Sequence, residues 1–203
     1  LLNIIAGLDN PDSGKIKLAG LSTQHRLGQV GYMQQKDLLL PWRTVLSNAI
    51  LGLEVNGIAK DVARNRALSY FEDFGLTGFE HEYPFTLSGG MRQRVAFLRT
   101  ILLDSDVLLL DEPFSALDAL SRVRLQEWFL QLMDSIPKTV VLVTHDVEEA
   151  VFLSDRIYVM SSRPGEIKDI VTVPFSRPRD FDVVGVDSFV RLKTQLLATM
   201  RGT

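Results

Sequence analysis

The stretch Val107-Leu108-Leu109-Leu110-Asp111-Glu112-Pro113 decides the fold, because an unbroken apolar run ends there on two adjacent carboxylates. The run is too short to span a bilayer and is typical of a strand buried on both faces of a parallel sheet. In open α/β sheets ligands bind beyond the carboxyl ends of the strands. The stretch therefore predicts a parallel sheet with a binding site at the end of this strand.

The two acids cannot share one task, because successive strand residues point to opposite faces. One of them can hold a metal ion while the other faces a reacting water, as in the hydrolysis of Mg-nucleotides. Taken alone, Asp111-Glu112 fits a solvated turn at a strand end better than a metal site. The choice between these two interpretations depends on the rest of the chain.

Composition narrows the class of protein. The 203 residues are 46% hydrophobic, which is enough for one sizeable core, and the net charge of -3 gives no argument for nucleic acid as a partner. The absence of cysteine excludes disulfides and thiolate metal sites and is typical of a reducing compartment. The chain has no apolar stretch of membrane-spanning length, and it starts with Leu1 inside an apolar run. We therefore expect that its natural start is missing.

Local patterns predict an α/β chain with a helical block in the middle. Thr44 is the expected N-cap of the first helix of that block. The predicted helices are 1–8, 45–53, one from about Asp61, one opening at 89–90, one after Asp118, 147–153 and 188–200, and the predicted strands are 15–19, 29–33, 107–111, 139–144, 156–160 and 170–173.

The segment Leu38-Leu39-Leu40-Pro41-Trp42 follows a polar strand end and is broken by proline. Two interpretations stay open for it. It is either a loop packed under a helix or an exposed apolar patch that receives a partner.

The segment Leu87-Ser88-Gly89-Gly90-Met91-Arg92-Gln93-Arg94 opens a helix with an apolar stripe at Met91, Val95, Leu98 and Leu102. Free backbone N–H groups and the positive end of the helix dipole favour an anion there, and glycine lets a phosphate approach. An ordinary glycine-containing helix start is the alternative.

The run 139–144 predicts a second buried strand, parallel to the first, that ends on His145. A lone histidine is usually structural or caps the following helix. At a strand end that faces the same crevice as Asp111 and Glu112, a position beside a phosphate becomes the better interpretation.

Together these motifs resemble the ATP-binding subunits of ABC transporters. The segment that starts at Leu87 looks like the family signature, 107–113 like the Walker B strand with its following glutamate, and 115–118 like the D-loop. Gln35 looks like the Q-loop glutamine and His145 like the switch histidine. The resemblance implies a P-loop NTPase (RecA-like) core with a parallel central sheet, a small antiparallel β part and an inserted α-helical subdomain. One domain would then cover 1–203, with 1–35 and 104–203 as the core and 36–103 as the subdomain.

The resemblance also implies a role for each matching residue. Asp111 would help to hold Mg²⁺, Glu112 would be the general base, His145 would contact the γ-phosphate, and Gln35 would touch the metal and sense the phosphate. Ser88, Gly89 and Gly90 would contact the γ-phosphate of ATP held by the opposite subunit, with Gln93 also in the nucleotide-binding set, and Asp118 would bridge the dimer. The implied cofactors are ATP and Mg²⁺.

The phosphate-cradling loop Gly-x-x-x-x-Gly-Lys-Ser/Thr is absent from the sequence. In the family it would directly precede Leu1, so we expect a chain truncated after that loop and inactive alone. A smaller departure is Gln34, where phenylalanine is more usual.

Leu39-Leu40-Pro41-Trp42 and 162–167 look like importers of the nitrate, sulfonate and taurine group. The expected partners are a second ATP-binding subunit, integral membrane permease subunits and, indirectly, a solute-binding protein, without nucleic acid. The expected location is peripheral, on the cytoplasmic face of the cell membrane. Two alternatives stay open: a soluble ABC-type ATPase outside transport, and a non-catalytic truncated partner subunit.

Overall fold

The computed structural model describes residues 1–18, 20–22 and 26–201. It contains α-helices and short strands in alternation, with single 3₁₀ turns at Pro84–Thr86 and Phe181–Gly185. The helices are α1 (Leu2–Ala6), α2 (Val45–Ala49), α3 (Leu51–Val55), α4 (Lys60–Leu68), α5 (Gly89–Ile101), α6 (Ala119–Ser135), α7 (Val147–Leu153) and α8 (Asp187–Arg201). The strands are β1 (Lys17–Leu18), β2 (Leu21–Ser22), β3 (Gly31–Met33), β4 (Val107–Asp111), β5 (Thr139–Val143), β6 (Arg156–Met160) and β7 (Ile167–Thr172).

The chain divides into two compact units. The first comprises Leu1–Leu117 with Lys138–Val141, and the second comprises Asp118–Pro137 with Leu142–Thr203. All of α1 to α5 lie in the first unit, whereas α6, α7 and α8 lie in the second. The predicted subdomain at 36–103 is thus a part of the first unit, and its independence stays a prediction.

The central strand of the first unit is β4. It pairs in parallel with β3, and the hydrogen-bonded order is β3-β4-β5. Leu108, Leu109 and Leu110 are fully buried. Since neighbouring residues of a strand face opposite ways, both faces of β4 are covered, as the apolar run predicts.

Strand β5 is less buried than its sequence predicts. It lies at the end of the hydrogen-bonded order, Thr139 and Val143 are exposed, and the three residues between them are half-buried. An apolar run indicates only that both faces of a strand can be buried. The elements that pack around the strand in the fold determine how much of it is buried. In the described residues β5 has a neighbouring strand on one side.

The two remaining sheets are antiparallel pairs. Strands β1 and β2 form a short hairpin, and β6 pairs with β7 through an irregular register at Val159 and Met160. The predicted strand 15–19 ends at Leu18 in the structure, and Ala19 lies outside the described residues. The predicted extended segment 170–173 corresponds to the longer strand β7.

Capping side chains set the starts of four helices. Thr44 accepts a hydrogen bond from the backbone N–H of Ser47, so its predicted role as an N-cap is confirmed. Ser88, Asp118 and Asp146 cap α5, α6 and α7 in the same way. The single helix predicted at 45–53 is two short helices, because the chain turns at Ile50.

Gly7 ends α1 in a conformation that requires glycine. Its φ is 82°, and a Cβ would lie 2.6 Å from the backbone nitrogen of Leu27. The helix then packs through Leu2 and Ala6 on Leu109 of β4. Across the described ranges, each helix is too short or too polar to cross a membrane.

Candidate active site at the end of β4

The acid pair at the end of β4 has a strained backbone. Asp111 is the last residue of the strand, and Glu112, which follows, has a φ of 45°. This left-handed conformation is uncommon for a residue with a side chain and persists only where the surroundings hold it. Here the backbone N–H and the hydroxyl of Ser115 both donate to the Glu112 carbonyl, at 3.2 and 2.9 Å. The turn therefore fixes the direction of the Glu112 side chain.

Gln35 holds the Glu112 carboxylate. Its side-chain Nε2 donates to Oε2 of Glu112 at 2.8 Å, across 77 positions of sequence. Glu112 is half-buried and Gln35 is exposed, so the pair faces solvent at the strand end. The structure thus joins two residues that the sequence analysis assigned to separate motifs.

The oxygen atoms at this strand end suit Mg²⁺, which prefers carboxylate and amide oxygens. Asp111 offers a carboxylate, and the Gln35 amide oxygen remains after its nitrogen has bonded to Glu112. Burial first and the Asp111 charge second raise the pKa of Tyr32, so that carboxylate lies close to the tyrosine ring on β3. Within the described ranges no three carboxylate or histidine side chains form a metal cluster by themselves.

The start of α5 is open. Ser88 is exposed, and its hydroxyl accepts from the backbone N–H of Met91 at 3.3 Å. A Cβ on Gly90 would meet no atom within 4 Å, and one on Gly89 would make only ordinary contact with Leu117. No neighbour of Gly90 in the described structure thus requires glycine there. Its small size instead leaves room for an anion at the N-terminal end of α5, a helix of 13 residues.

Gln93 lies inside the first unit. Its side chain is buried, and its Oε1 has no hydrogen-bond partner among the described residues. The apolar stripe predicted for the same helix is buried at Val95, Leu98 and Leu102, and Met91 is half-buried. Gln93 thus belongs to the packed side of α5, and a role in nucleotide binding stays a prediction for it.

Asp118 and His145 belong to the second unit. Asp118 is exposed and accepts from the backbone N–H of Ser121 at 3.0 Å, and its bonds with Ser121 lower the pKa of its carboxyl. His145 directly precedes Asp146, which accepts from the backbone N–H groups of Glu148 and Glu149. Asp118 and His145 therefore both lie at the start of a helix of the second unit.

The sequence did not single out the contacts between α5 and the loop that follows Gln35. Arg92 donates to Asp37, and Arg99 donates to the backbone carbonyls of Asp37 and Leu38. A readable signal existed, because residues seven positions apart lie on one face of a helix. Arg92 and Arg99 have this spacing, and an acid follows Gln35 by two positions.

The sequence also did not single out the buried Glu149. It is 5% exposed and accepts from Gln126 of α6 at 3.2 Å. Burial first, and Asp146 to a smaller extent, raise the pKa of Glu149 to about 7, against the lowering effects of Thr144, Gln126 and Arg122. A cavity of about 120 Å³ lies beside it, lined by Arg122 and Phe152 among others.

The apolar loop at Pro41 is exposed and held from beneath. The fully buried Asn48 accepts from the N–H of Leu40 at 2.7 Å and donates to three backbone carbonyls of residues 40–44. Trp42, on the outside of this loop, is 72% exposed. Of the two interpretations of the segment, the structure thus favours an exposed patch.

Two further aromatic rings follow a segment whose backbone is hydrogen-bonded to the start of α2. The backbone N–H of Val45 donates to the carbonyl of Glu82, which brings Tyr83 and Phe85 to the start of α2. The two rings stack with centroids 5.7 Å apart, and Phe85 is largely exposed. Trp42, Tyr83 and Phe85 together are called the aromatic patch below.

Comparison with known proteins gives one consistent result. The family model described as ABC transporter matches residues 1–115. An uncharacterized ABC transporter ATP-binding protein of Methanocaldococcus jannaschii is 49% identical over 180 residues, which is 89% of this chain and 67% of the relative. The formylaminopyrimidine import ATP-binding protein ThiZ of Halalkalibacterium halodurans is 46% identical over 81% of this chain and 64% of its own length.

A third relative is the taurine import ATP-binding protein TauB of Yersinia pestis, 42% identical over 87% of this chain and 69% of its own length. The chain thus spans about two thirds of the length of these relatives. Among solved structures, a dimeric ATP-binding cassette in a post-hydrolysis state, bound to ADP and Pi, superposes with a TM-score of 0.71. It is 29% identical, and the match covers 86% of this chain and 80% of that one.

Proposed function

Because the chain belongs to the ABC transporter family of ATP-binding proteins, we propose that the full-length protein hydrolyses ATP to drive the import of a small solute. The predicted family and the predicted P-loop NTPase fold are confirmed. The observation that carries the catalytic part of the proposal is the hydrogen bond from Gln35 to Glu112 at the end of β4. It joins a polar side chain that can sense a bound phosphate to a carboxylate that can act on water.

Glu112 is the general base or water-orienting group of the proposed reaction. A general base must be held within hydrogen-bond reach of the proton that it takes, and its direction here is fixed by the turn to Ser115 and by Gln35. Water attacks the γ-phosphorus, the bond to the bridging oxygen breaks, and ADP leaves with that oxygen. The proton of the water goes to the Glu112 carboxylate.

The remaining predicted residues bind and orient the nucleotide. Asp111 and the Gln35 amide oxygen would hold Mg²⁺, which supplies positive charge against the phosphate oxygens. Ser88, Gly89 and Gly90 present backbone N–H groups at the start of α5 to the γ-phosphate of a second copy. His145 contacts the γ-phosphate from the end of β5.

A site completed by a second copy requires a dimer. The similar solved structure is dimeric, which supports this part of the proposal. Asp118 stands exposed at the start of α6, where its carboxylate can reach a second chain. One copy alone is therefore expected to hydrolyse ATP slowly.

The aromatic patch is the proposed contact with an integral membrane subunit. Aromatic side chains are enriched at protein interfaces because their rings bury a large area. Asn48 keeps the loop of Trp42 rigid, so that little conformational entropy is lost on binding. The protein would then lie at the cytoplasmic face of the membrane, with a solute-binding protein on the opposite side.

The solute is proposed from the named relatives, which import taurine and formylaminopyrimidine. A small organic or anionic solute of the nitrate, sulfonate and taurine kind fits both the relatives and the sequence resemblance. Residues that select the solute would lie in the membrane subunit and the solute-binding protein.

The proposal is tested with the full-length protein purified from its native cells. We expect Mg²⁺-dependent release of phosphate from ATP and co-purification with a polytopic membrane protein. Trp42→Ala should weaken co-purification while the ATPase rate of the isolated protein stays unchanged. Val55→Ala, at another exposed apolar position, is the matched control. Absence of hydrolysis, or co-purification with nucleic acid instead, would contradict the proposal.

A further inference from the structure

Arg122 of α6 interacts with two carboxylates of the second unit. Its Nη1 lies 3.7 Å from Oδ2 of Asp146, with 34% and 38% of the two side chains exposed. Glu149 lines the same cavity as Arg122. Burial raises the pKa of the Glu149 carboxyl, and the charge of Arg122 opposes that effect. One guanidinium is therefore within electrostatic reach of both acids.

The ion pair of Arg122 with Asp146 is loose. A separation of 3.7 Å is longer than a hydrogen bond, and partly exposed pairs contribute little to stability. Asp146 holds the start of α7 through its other oxygen, Oδ1, which accepts from the N–H groups of Glu148 and Glu149 at 2.9 and 3.3 Å. Arg122 can therefore leave Asp146 without breaking the cap of that helix.

Glu149 has one carboxyl oxygen in a hydrogen bond and one without. Oε2 accepts from Gln126 at 3.2 Å, whereas Oε1 is buried and has no hydrogen-bond partner among the residues that the structure describes. A buried acceptor without a donor is costly, most of all when the group is ionised. Protonation removes the charge, and a guanidinium donor would compensate for it.

The cavity beside Glu149 gives Arg122 room to approach that oxygen. Its volume of about 120 Å³ is enough for several water molecules. Glu148 also lines the cavity but is bonded to Lys193 of α8, and the two phenylalanines in the lining bring no charge. Among the described residues that line the cavity, Arg122 is the only cation.

The charge of Glu149 changes at neutral pH. Burial first, and Asp146 to a smaller extent, raise its pKa to about 7. Below that pH the carboxyl is neutral and does not compete with Asp146 for Arg122. Above it, the ionised carboxylate attracts the same guanidinium.

We propose that protonation of Glu149 regulates the ATPase by determining whether Arg122 pairs with Asp146. This inference rests on the proposed function, in which Asp118 and His145 serve the nucleotide. The backbone N–H of Arg122 donates to the carbonyl of Asp118 at 2.9 Å. Asp146 directly follows His145 in the chain. The ion pair thus joins the two helix starts, and ionised Glu149 loosens that connection by drawing Arg122 away.

A kinetic test compares kcat of full-length Glu149→Gln with that of the unchanged protein at pH 6 and at pH 8. Glutamine keeps the shape of the side chain but cannot ionise, so the pair of Arg122 with Asp146 persists at both pH values. The ratio of variant to unchanged kcat should be close to one at pH 6 and about twofold to fivefold at pH 8, the size expected for a partly exposed ion pair. Because the ratio is formed at each pH, the titration of groups common to both proteins cancels.

Arg122→Gln tests the same contact from α6. It lacks the cation at every pH, so its kcat should be lower than that of the unchanged protein by the same factor at pH 6 and equal to it at pH 8. This variant decides the kinetic outcome if Glu149→Gln unfolds. Glu148→Gln, which changes another acid of the cavity, is the matched control and should give the same ratio at both pH values.

A test without ATP follows both groups by NMR. The ¹³C signals of the glutamate carboxyls and the Nε signals of the arginines are recorded between pH 5 and pH 9. Signals that are missing from Glu149→Gln and from Arg122→Gln identify the two residues. We expect both signals to shift with one midpoint near pH 7. In Glu149→Gln the Arg122 signal should not shift over this range.

The outcomes distinguish the inference from the function on which it rests. Failure of the unchanged protein to hydrolyse ATP would contradict the proposed function, and the NMR titration would still decide whether Glu149 controls Arg122. Normal hydrolysis with kcat ratios that do not depend on pH would overturn the regulation alone. An Arg122 signal that does not titrate with Glu149 would overturn the inference in either case.

Discussion

Glu112 and Glu149 are acids of the same type in opposite surroundings. Glu112 is half-buried, lies at the end of β4 and accepts a hydrogen bond on its carboxylate from Gln35. Glu149 is 5% exposed, packs against Gln126 and has its pKa raised to about 7, chiefly by burial. Exposure at a strand end gives the Glu112 carboxylate access to substrate. Burial on a helix instead disfavours the ionised form of Glu149 and so lowers the stability of the fold when that group is charged.

The largest expected effect is a loss of ATPase activity when Glu112 is replaced. Glu112→Gln keeps the shape of the side chain but removes its ability to take a proton. We expect kcat of the full-length ATPase to fall by about 10²-fold to 10⁴-fold, the range for loss of a general base. Phosphate release under saturating ATP measures this. Glu72→Gln, an exposed acid of the same unit, should keep the rate, and a matching loss there would remove the distinction.

The second effect is on stability and concerns Glu149. Its pKa is raised from 4.5 to about 7 on folding, so the folded state binds a proton more tightly than the unfolded state. This contribution to stability is fully present below pH 4.5 and is lost as the pH rises through about 7. Glu149→Gln cannot ionise and should stabilise the protein at pH 8 by up to about 3 kcal/mol, at about 1.4 kcal/mol per pKa unit.

Urea unfolding of the full-length protein at pH 5 and at pH 8 measures that gain. Glu148→Gln is the control, because it changes the neighbouring, partly exposed acid that pairs with Lys193. The gain of Glu149→Gln should be larger at pH 8 than at pH 5. An equal gain at both pH values would show that burial does not shift the titration of Glu149.

The smallest effect concerns the bond that orients Glu112. Gln35→Ala removes the donor at 2.8 Å but leaves the carboxylate and the turn at Ser115 in place. A single hydrogen bond to a charged group corresponds to a loss of about tenfold or somewhat more in kcat. The same ATPase assay at saturating Mg²⁺ measures it. A loss as large as that of Glu112→Gln would contradict the view that Gln35 only orients Glu112.

Much of the first unit could be predicted from sequence because its signals are local. The apolar run of β4 predicts a buried strand, and Thr44 predicts a helix start, since each depends only on neighbouring residues. The motifs in order predicted the family. The same local signals placed Glu112 at the end of a buried strand and Gln35 shortly after another predicted strand.

The remaining features depend on contacts between distant residues. The left-handed backbone of Glu112 comes from the turn to Ser115 and has no signature of its own, since a glutamate there is unremarkable in sequence. The hydrogen bond from Arg99 to the backbone carbonyl of Asp37 joins residues that are 62 positions apart. The low burial of β5 depends on which strands lie beside it, and the burial of Glu149 depends on how α6 packs.

The measurement that tests the central claim most directly is the identity of the nucleotide bound to full-length Glu112→Gln. The variant is incubated with MgATP, separated from free nucleotide, and its bound nucleotide is identified by chromatography. If Glu112 activates the attacking water, ATP should remain bound unhydrolysed. Bound ADP, formed at the rate of the unchanged protein, would contradict the claim that the end of β4 carries the hydrolytic site.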